Sequence, residues 1–171
     1  MVTGMAPATP APRTCPECGF SWATPQDAIG LVAAAPQRYR TALTRHGKQL
    51  IRIPTVLPWA AISYLWHLDD VLRISAERLW ALSHDPQSPV IPYDPDQLAD
   101  ARHYARQSTA AGLWALERAT SDWLTATAEV HDGDSYHHPE FGQLTVADVT
   151  CMIAHEVDHH ARDIERCLNF S

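Results

Sequence analysis

The chain has 171 residues, which suits one domain with enough length to bury a real core. Apolar residues make up 46% and charged residues 19%, the balance of an ordinary globular protein. A formal charge of -7 with no basic stripe argues against nucleic-acid binding, and no apolar run approaches the ~18 residues that span a bilayer.

The chain opens MVTGMAPATPAPRT, rich in Ala, Pro and Thr and without an apolar h-region. Residues 1–14 are therefore expected to be a disordered leader and not a signal peptide, and the protein is expected in the cytoplasm. Cys15-Pro16-Glu17-Cys18-Gly19-Phe20 follows. In that compartment a C-x-x-C spacing points to metal or redox chemistry more than to a structural disulfide. It has the form of one knuckle of a zinc ribbon, but a structural site needs four ligands and no second knuckle is present. Cys151 and Cys167 cannot both complete it, because 16 residues on one helix separate them by about 24 Å. A crossover topology would bring Cys151 to the knuckle, and a simple up-down-up-down topology Cys167. A disulfide or two free thiols remain alternatives.

Glycine is scarce and the prolines fall between periodic segments, the punctuation of helices joined by Pro-marked loops. The first helix is predicted from Thr24-Pro25-Gln26-Asp27 to about Thr44. Thr24 is its cap, Pro25 fits its first turn, and Pro36 is expected to kink or split it. The second is predicted from Pro58 to about Ser83, with Trp59, Ile62, Leu65, Trp66, Leu72, Leu79 and Leu82 at helical spacing. His84 to Asp94, with Pro86, Pro89 and Pro92, reads as a long stiff connection able to cover about 35 Å. A helical region is predicted from Asp94-Pro95 to about Ala128, with a break near Gln107-Ser108-Thr109. His131 to Gln143 reads as a polar loop that could act as a lid. The last helix opens on the capping-box-like Thr145-Val146-Ala147-Asp148 and reaches about Leu168. Nothing shows the strict alternation of a strand. The expected fold is an all-α four-helix bundle over residues 15–171.

The chemistry is read from histidines. In His155-Glu156-Val157-Asp158-His159-His160, positions i and i+4 share one helical face, so His155 and His159 could point at one metal ion. Such a pair is as often mere surface. His67, in the apolar stretch Tyr64-Leu65-Trp66-His67-Leu68, supplies a candidate third ligand, although a lone His there is more often a hydrogen-bonded core residue. It lies about 13 Å along its helix, and His155 and His159 about 15 and 21 Å along theirs, so all three sit near mid-height. The same residues spell H-E-x-x-H, the zinc-protease helix whose Glu is a general base. That reading ranks second, because only 12 residues follow His159 and Arg162 and Glu165 occupy the places of the extended motif. Glu156 is expected about 100° off the metal face, as a surface carboxylate or a proton shuttle. His160 is expected beside the site and not in it. Asp70, at i+3 from His67, is a candidate to orient that ring, and Asp163, at i+4 from His159, a weaker one.

Trp59 to Leu72, read as W-x-x-x-x-Y-x-x-H-x-x-D-V-L, and His155 to Asp163, read as H-E-x-x-H-H-x-x-D, resemble the DinB/YfiT-like metalloenzyme superfamily. The nearest resemblance is to an actinobacterial group that opens with C-x-x-C-G-F. The resemblance covers residues 15 to 168. It implies a four-helix bundle with a long crossover between helices two and three, where the Pro-rich stretch falls. It also implies three metal-binding histidines, carried over to His67, His155 and His159. Relatives in this superfamily include a maleylpyruvate isomerase and S-transferases that use mycothiol or bacillithiol. The chain departs from the family pattern at Ser63, where a Glu is expected, and around His137-His138-Pro139.

Three imidazoles leave a coordination position open, and nitrogen ligands suit zinc, nickel, copper or iron, with zinc preferred here. A thiol cofactor would be held as thiolate. The leading expectation is thus a metal-dependent enzyme acting on a small molecule, a mycothiol-type thiol transferase or isomerase, with a second metal at Cys15 and Cys18 as an option. A metal-dependent hydrolase or cyclase, or a non-catalytic metal-binding stress protein, are the alternatives. Arginines such as Arg73 or Arg162 facing a recess would favour the thiol reading, and an open metal in an apolar pocket the hydrolase reading. Trp66 and Tyr93 are candidates to border the pocket. No nucleic acid or membrane is expected as a partner, and a homodimer is one expected assembly.

Overall fold

The computed structural model describes residues 14–21, 24–44 and 50–169, so all but the last residue of the expected leader lies outside the described residues. Four long helices carry the fold: α1 (Pro25–Leu43), α2 (Ala61–His84), α4 (Thr109–Ala128) and α5 (Val146–Asn169). A short α3 (Pro95–Ala101) and one 3-10 turn (Tyr104–Arg106) sit between α2 and α4.

The helix starts are written in local chemistry. Thr24 accepts the amide of Asp27, Asp94 those of Asp96 and Gln97, and Ser108 that of Ala111. Each side chain satisfies donors that the first turn leaves without intrahelical partners. Thr145 and Asp148 form a reciprocal box: Asp148 N–H donates to Thr145 Oγ1 (3.1 Å) and Thr145 N–H to the Asp148 carboxylate (2.9 Å).

Side-chain meetings give the helix directions. Gly112 of α4 lies against Leu65 of α2, and Trp123 Nε1 donates to Ser75 Oγ (3.1 Å), so α2 and α4 advance together and are parallel. Tyr64 stacks near His160, and Cys167 Sγ donates to the carbonyl of Trp59, so α5 runs against α2. Phe20 meets His155, Arg38 pairs with Asp158, and Ala42 shares a groove with Leu168, so α1 runs with α5. Two consecutive parallel helices cannot be joined by a tight turn. Residues 85–108 therefore return along the bundle, with Pro86, Pro89 and Pro92 holding the first part extended. This is the crossover expected from the proline pattern.

Four expectations are corrected. α1 runs unbroken through Pro36, because Val32, Ala35, Tyr39 and Leu43 are buried on both sides of it and Tyr39 donates to the carbonyl of Val157 (3.0 Å). α2 starts at Ala61 and not Pro58, without a side-chain cap. The break expected near Gln107-Ser108-Thr109 is present, with Ser108 capping α4 at Thr109, but the interruption begins earlier: α3 ends at Ala101, and His103 adopts a left-handed conformation (φ 53°). Residues 135–145 form an antiparallel hairpin, β1 (Ser135–His138) with β2 (Gly142–Thr145), where only a loop was expected. Four residues per strand are too few to show a period. Gly142 at φ 73°, a conformation glycine adopts without steric cost, lets the chain turn back. Among the described residues no helix is long and apolar enough to cross a membrane.

Candidate metal centre

The site is built on one stripe of α5. Val149, Ile153, Glu156, His160, Asp163 and Cys167 follow each other at alternating spacings of four and three, the pattern that keeps one seam facing a partner helix. Val149, Ile153, Asp163 and Cys167 are buried. Glu156 and His160 thus stand mid-seam, opposite His67 of α2. His155 and His159 sit one residue earlier, about 100° around the helix, and face the N-terminal knuckle.

Among the described residues three candidate ligand clusters result: two with no residue in common, and a third, His159, His160 and Asp163, that bridges them. His67, Glu156 and His160 each offer one donor atom, all within 4.8 Å of one another, and so do Cys15, Cys18, His155 and His159. The expected grouping of His67 with His155 and His159 is therefore not the one the geometry assembles. The phase of α5 decides this, since two helical positions 100° apart cannot both point at α2.

In the first cluster His67 Nε2 lies 4.0 Å from Glu156 Oε2, and His160 Nε2 lies 3.2 Å from the same oxygen. Burial and then the charge of His160 pull the His67 pKa down to about 4, so this imidazole is neutral at pH 7 with a lone pair to give. Burial alone would raise Glu156. The His160 hydrogen bond and the positive charges around it outweigh that and hold it at about 2. Burial likewise opposes charge on His160, but bonds to Asp163 and Glu156 lift it to about 9. Nδ1 of His67, the ring nitrogen other than the one nearest Glu156, is buried with no hydrogen-bond partner among the described residues. A neutral buried imidazole, a neighbouring carboxylate and a second imidazole make up a two-histidine, one-glutamate donor set that fits a divalent ion. The Trp59 indole packs edge-on against His67 at 5.0 Å, and Tyr64 lies 5.2 Å from His160.

The second cluster joins the chain's first described segment to α5. Gly19 N–H donates to the Cys15 carbonyl (2.8 Å), Cys15 N–H to the Phe20 carbonyl (2.9 Å), and Phe20 N–H to Cys18 Sγ (3.4 Å). Gly19 takes φ 71°, and Thr14 bridges Ser21 to close the knuckle. Cys15 Sγ reaches to 3.9 Å from His159 Nδ1. The Cys18 amide leads in lowering the Cys15 thiol to about 7, whereas burial raises Cys18. The four cysteines form no disulfide. Cys151, brought to this end by the crossover topology, lies outside the cluster, and Cys167 faces Trp59.

Other candidates fall elsewhere. Asp70 does not orient His67: it is fully buried and accepts from Arg73, Arg102 and Tyr104. Arg102 and Tyr104, from the segment between α2 and α4, engage its carboxylate instead. Asp163 is the carboxylate that meets the rings, 3.1 Å from His160 Nδ1 and 3.4 Å from His159 Nε2. The grouping of Glu156 and His160 with His67 was missed from sequence. The stripe of four-and-three spacing running through both was the signal that could have found them.

The sequence profile of the DinB superfamily matches residues 31–164. The chain belongs to the DinB superfamily. Among solved structures it is similar to YfiT from Bacillus subtilis, described as a probable metal-dependent hydrolase with an unusual four-helix bundle topology. The TM-score is 0.73 at 15% identity, over 86% of this chain and 89% of that one. No curated protein matches by sequence.

Two cavities of this DinB-type bundle meet at His67. One, of 280 Å³, has His67 and Glu156 at one end, apolar walls that include Met152, Ile153 and Phe141, and Arg78 and Tyr93 at the other end. Arg78 donates to the carbonyl of Ile91 (2.8 Å), lies 3.4 Å from His138 Nε2, and covers the Tyr93 ring at 5.7 Å. The hairpin that replaces the expected loop supplies His138, which is buried and lines this cavity. The other cavity, of 780 Å³, is lined by Trp59, Tyr64, His67, His159 and His160 together with Arg162 and Arg166. Arg73 pairs with Asp70 and Glu77, and Trp66 borders neither cavity.

Proposed function

We propose that the protein is a metal-dependent hydrolase of a small, largely apolar molecule, working at His67, Glu156 and His160. The observation that carries this reading is the convergence of these three donors at a cavity whose walls are mostly apolar. Two histidines and a glutamate are the ligand set of several hydrolytic zinc sites, and three protein ligands leave room for substrate. Zinc suits this set best, with nickel, iron and copper also compatible. A divalent ion held there supplies Lewis acidity toward a carbonyl and toward water.

The chain's own residues do the rest. Glu156 stays ionised and offsets part of the ion's charge. Asp163 accepts from His160 Nδ1, which fixes the tautomer that presents Nε2 to the centre. Met152, Ile153 and Phe141 exclude water from the substrate's apolar body. Arg78 at the far end offers its guanidinium to a carbonyl or carboxylate of the substrate. The resemblance of the fold to a probable metal-dependent hydrolase agrees with this reading.

Transfer or isomerisation with a mycothiol-type thiol is the second reading. The observation in its favour is the larger cavity, which reaches His67 and His160 past Arg162 and Arg166 and has room for a polar cofactor. Both arginines are already paired, with Asp158 and Asp163.

The test is hydrolysis of a panel of small esters, amides and lactams by metal-free and zinc-reconstituted protein, with and without a low-molecular-weight thiol. The hydrolase reading expects turnover that needs metal, is indifferent to thiol, and disappears in His67→Ala, Glu156→Ala and His160→Ala. Turnover only with thiol would favour the second reading. Undiminished turnover in all three variants would refute both.

A further inference from the structure

We propose that Cys15, Cys18, His155 and His159 form a second, structural zinc site that clamps the N-terminal knuckle to α5, beside the reaction centre and separate from it. The proposal does not depend on the hydrolase reading, because none of its four ligands belongs to the His67 cluster.

The geometry argues for a closed site. All four donor atoms lie within 4.8 Å of one another. Tetrahedral zinc with sulfur at about 2.3 Å and nitrogen at about 2.0 Å places S and N about 3.5 Å apart. Cys15 Sγ and His159 Nδ1 are at 3.9 Å without any ion, close to that spacing, and the other pairs lie within 4.8 Å. Two thiolates and two imidazoles fill the four positions zinc takes, and a filled tetrahedral shell is structural, not catalytic.

The surroundings are built for that role. The Phe20 amide points at Cys18 Sγ, a bond that favours the thiolate over the thiol. The Phe20 ring packs on His155 at 5.5 Å and covers one side of the cluster. With Nδ1 of His159 turned to sulfur, its Nε2 faces the Asp163 carboxylate at 3.4 Å and Glu17 at 3.6 Å. This is the carboxylate–histidine arrangement that orients metal-binding rings. Asp163 accepts from His160 as well, so a single buried carboxylate braces one ring of each cluster. Zinc binding displaces the Cys15 and Cys18 thiol protons to the buffer.

The clamp has a consequence for the larger cavity. Glu17 and Cys18 form part of its wall with His159 and His160. The knuckle has no helix of its own, and its backbone bonds, with the Thr14–Ser21 bridge, close it on itself and not onto α5. A metal that joins it to α5 keeps that wall in place.

The experiment is cobalt and zinc titration of the full-length, reduced, metal-free chain, with zinc-edge X-ray absorption on the wild type. We expect two equivalents of metal, thiolate-to-cobalt charge-transfer absorption, and a sulfur shell of two atoms at one of the two zinc ions. The Cys15→Ser/Cys18→Ser variant should fall to one equivalent and lose the absorption. His67→Ala/His160→Ala should also fall to one equivalent but keep it, and His155→Ala/His159→Ala should weaken or shift it. Wild-type protein that binds cobalt without thiolate absorption, or zinc surrounded only by nitrogen and oxygen, would overturn the site. So would an absorption left unchanged in His155→Ala/His159→Ala, since the helix would then supply no ligand. Because X-ray absorption is read on the wild type, a variant that fails to fold leaves the proposal falsifiable.

Discussion

Metal affinity at the His67 cluster should depend steeply on pH, and the slope follows from three ionisations. At pH 7 Glu156, at about 2, is already a carboxylate, and His67, at about 4, is already neutral. His160, held at about 9, still carries its proton, which an ion must displace. Each unit of increase in pH, up to about 9, should therefore raise affinity about tenfold, or about 1.4 kcal/mol. Between pH 6 and 8 the gain should be about 100-fold, levelling above about pH 9. An imidazole at its ordinary value near 6.5 would give only about a fourfold gain over the same range. The assay is zinc competition against a chromophoric chelator, in the Cys15→Ser/Cys18→Ser background so that thiol protons do not contribute. Calorimetry in two buffers of different ionisation enthalpy should count about one proton released at pH 7. A fourfold change, or no proton released, would show that His160 is not clamped between Glu156 and Asp163.

Three further outcomes are expected. Gly112→Ala should destabilise by about 1–3 kcal/mol, because a Cβ there would meet Leu65 Cδ2 at 2.7 Å and Trp66 Cε2 at 3.1 Å. Gly30→Ala, on an exposed face of α1 with nothing near, should stabilise by up to about 1 kcal/mol. Urea midpoints moving the same way would contradict this account of how closely α2 and α4 approach. Asp70→Ala should cost about 3 kcal/mol, at the lower end for a broken buried pair because Arg73 and Arg102 can reach water, while leaving metal content intact. Metal lost from the folded variant would restore Asp70 to the centre. Arg78→Met should speed hydrogen exchange at residues 89–93 and 135–138 without unfolding the bundle, since it cuts the ties to Ile91 and His138. Unchanged exchange there would show that Arg78 does not tether the cavity walls.

Local order was legible because its causes are local. Thr24-Pro25, Asp94-Pro95 and Thr145 with Asp148 cap their helices through atoms three residues away, and the prolines after His84 mark the crossover wherever the chain goes. The two sources of candidate ligands, His67 and the histidine-rich turn of α5, were legible too, because few residue types can bind metal. What the sequence left open was the phase of α5. His155-x-x-x-His159 and Glu156-x-x-x-His160 are both i,i+4 pairs, and one step along the chain turns the face by about 100°. The choice between them rests on which stripe packs against α2 and which meets the knuckle, and that depends on how the whole bundle buries Val149, Ile153 and Cys167. Asp70 followed the same rule: its spacing from His67 was correct, but Arg102 and Tyr104, 32 and 34 residues away, claim its carboxylate. Composition and spacing determined that this chain would be a helical bundle with candidate metal-ligating residues on two of its helices. Only tertiary packing decided which ligands share a site, because helix phase is fixed by burial against partners distant in sequence.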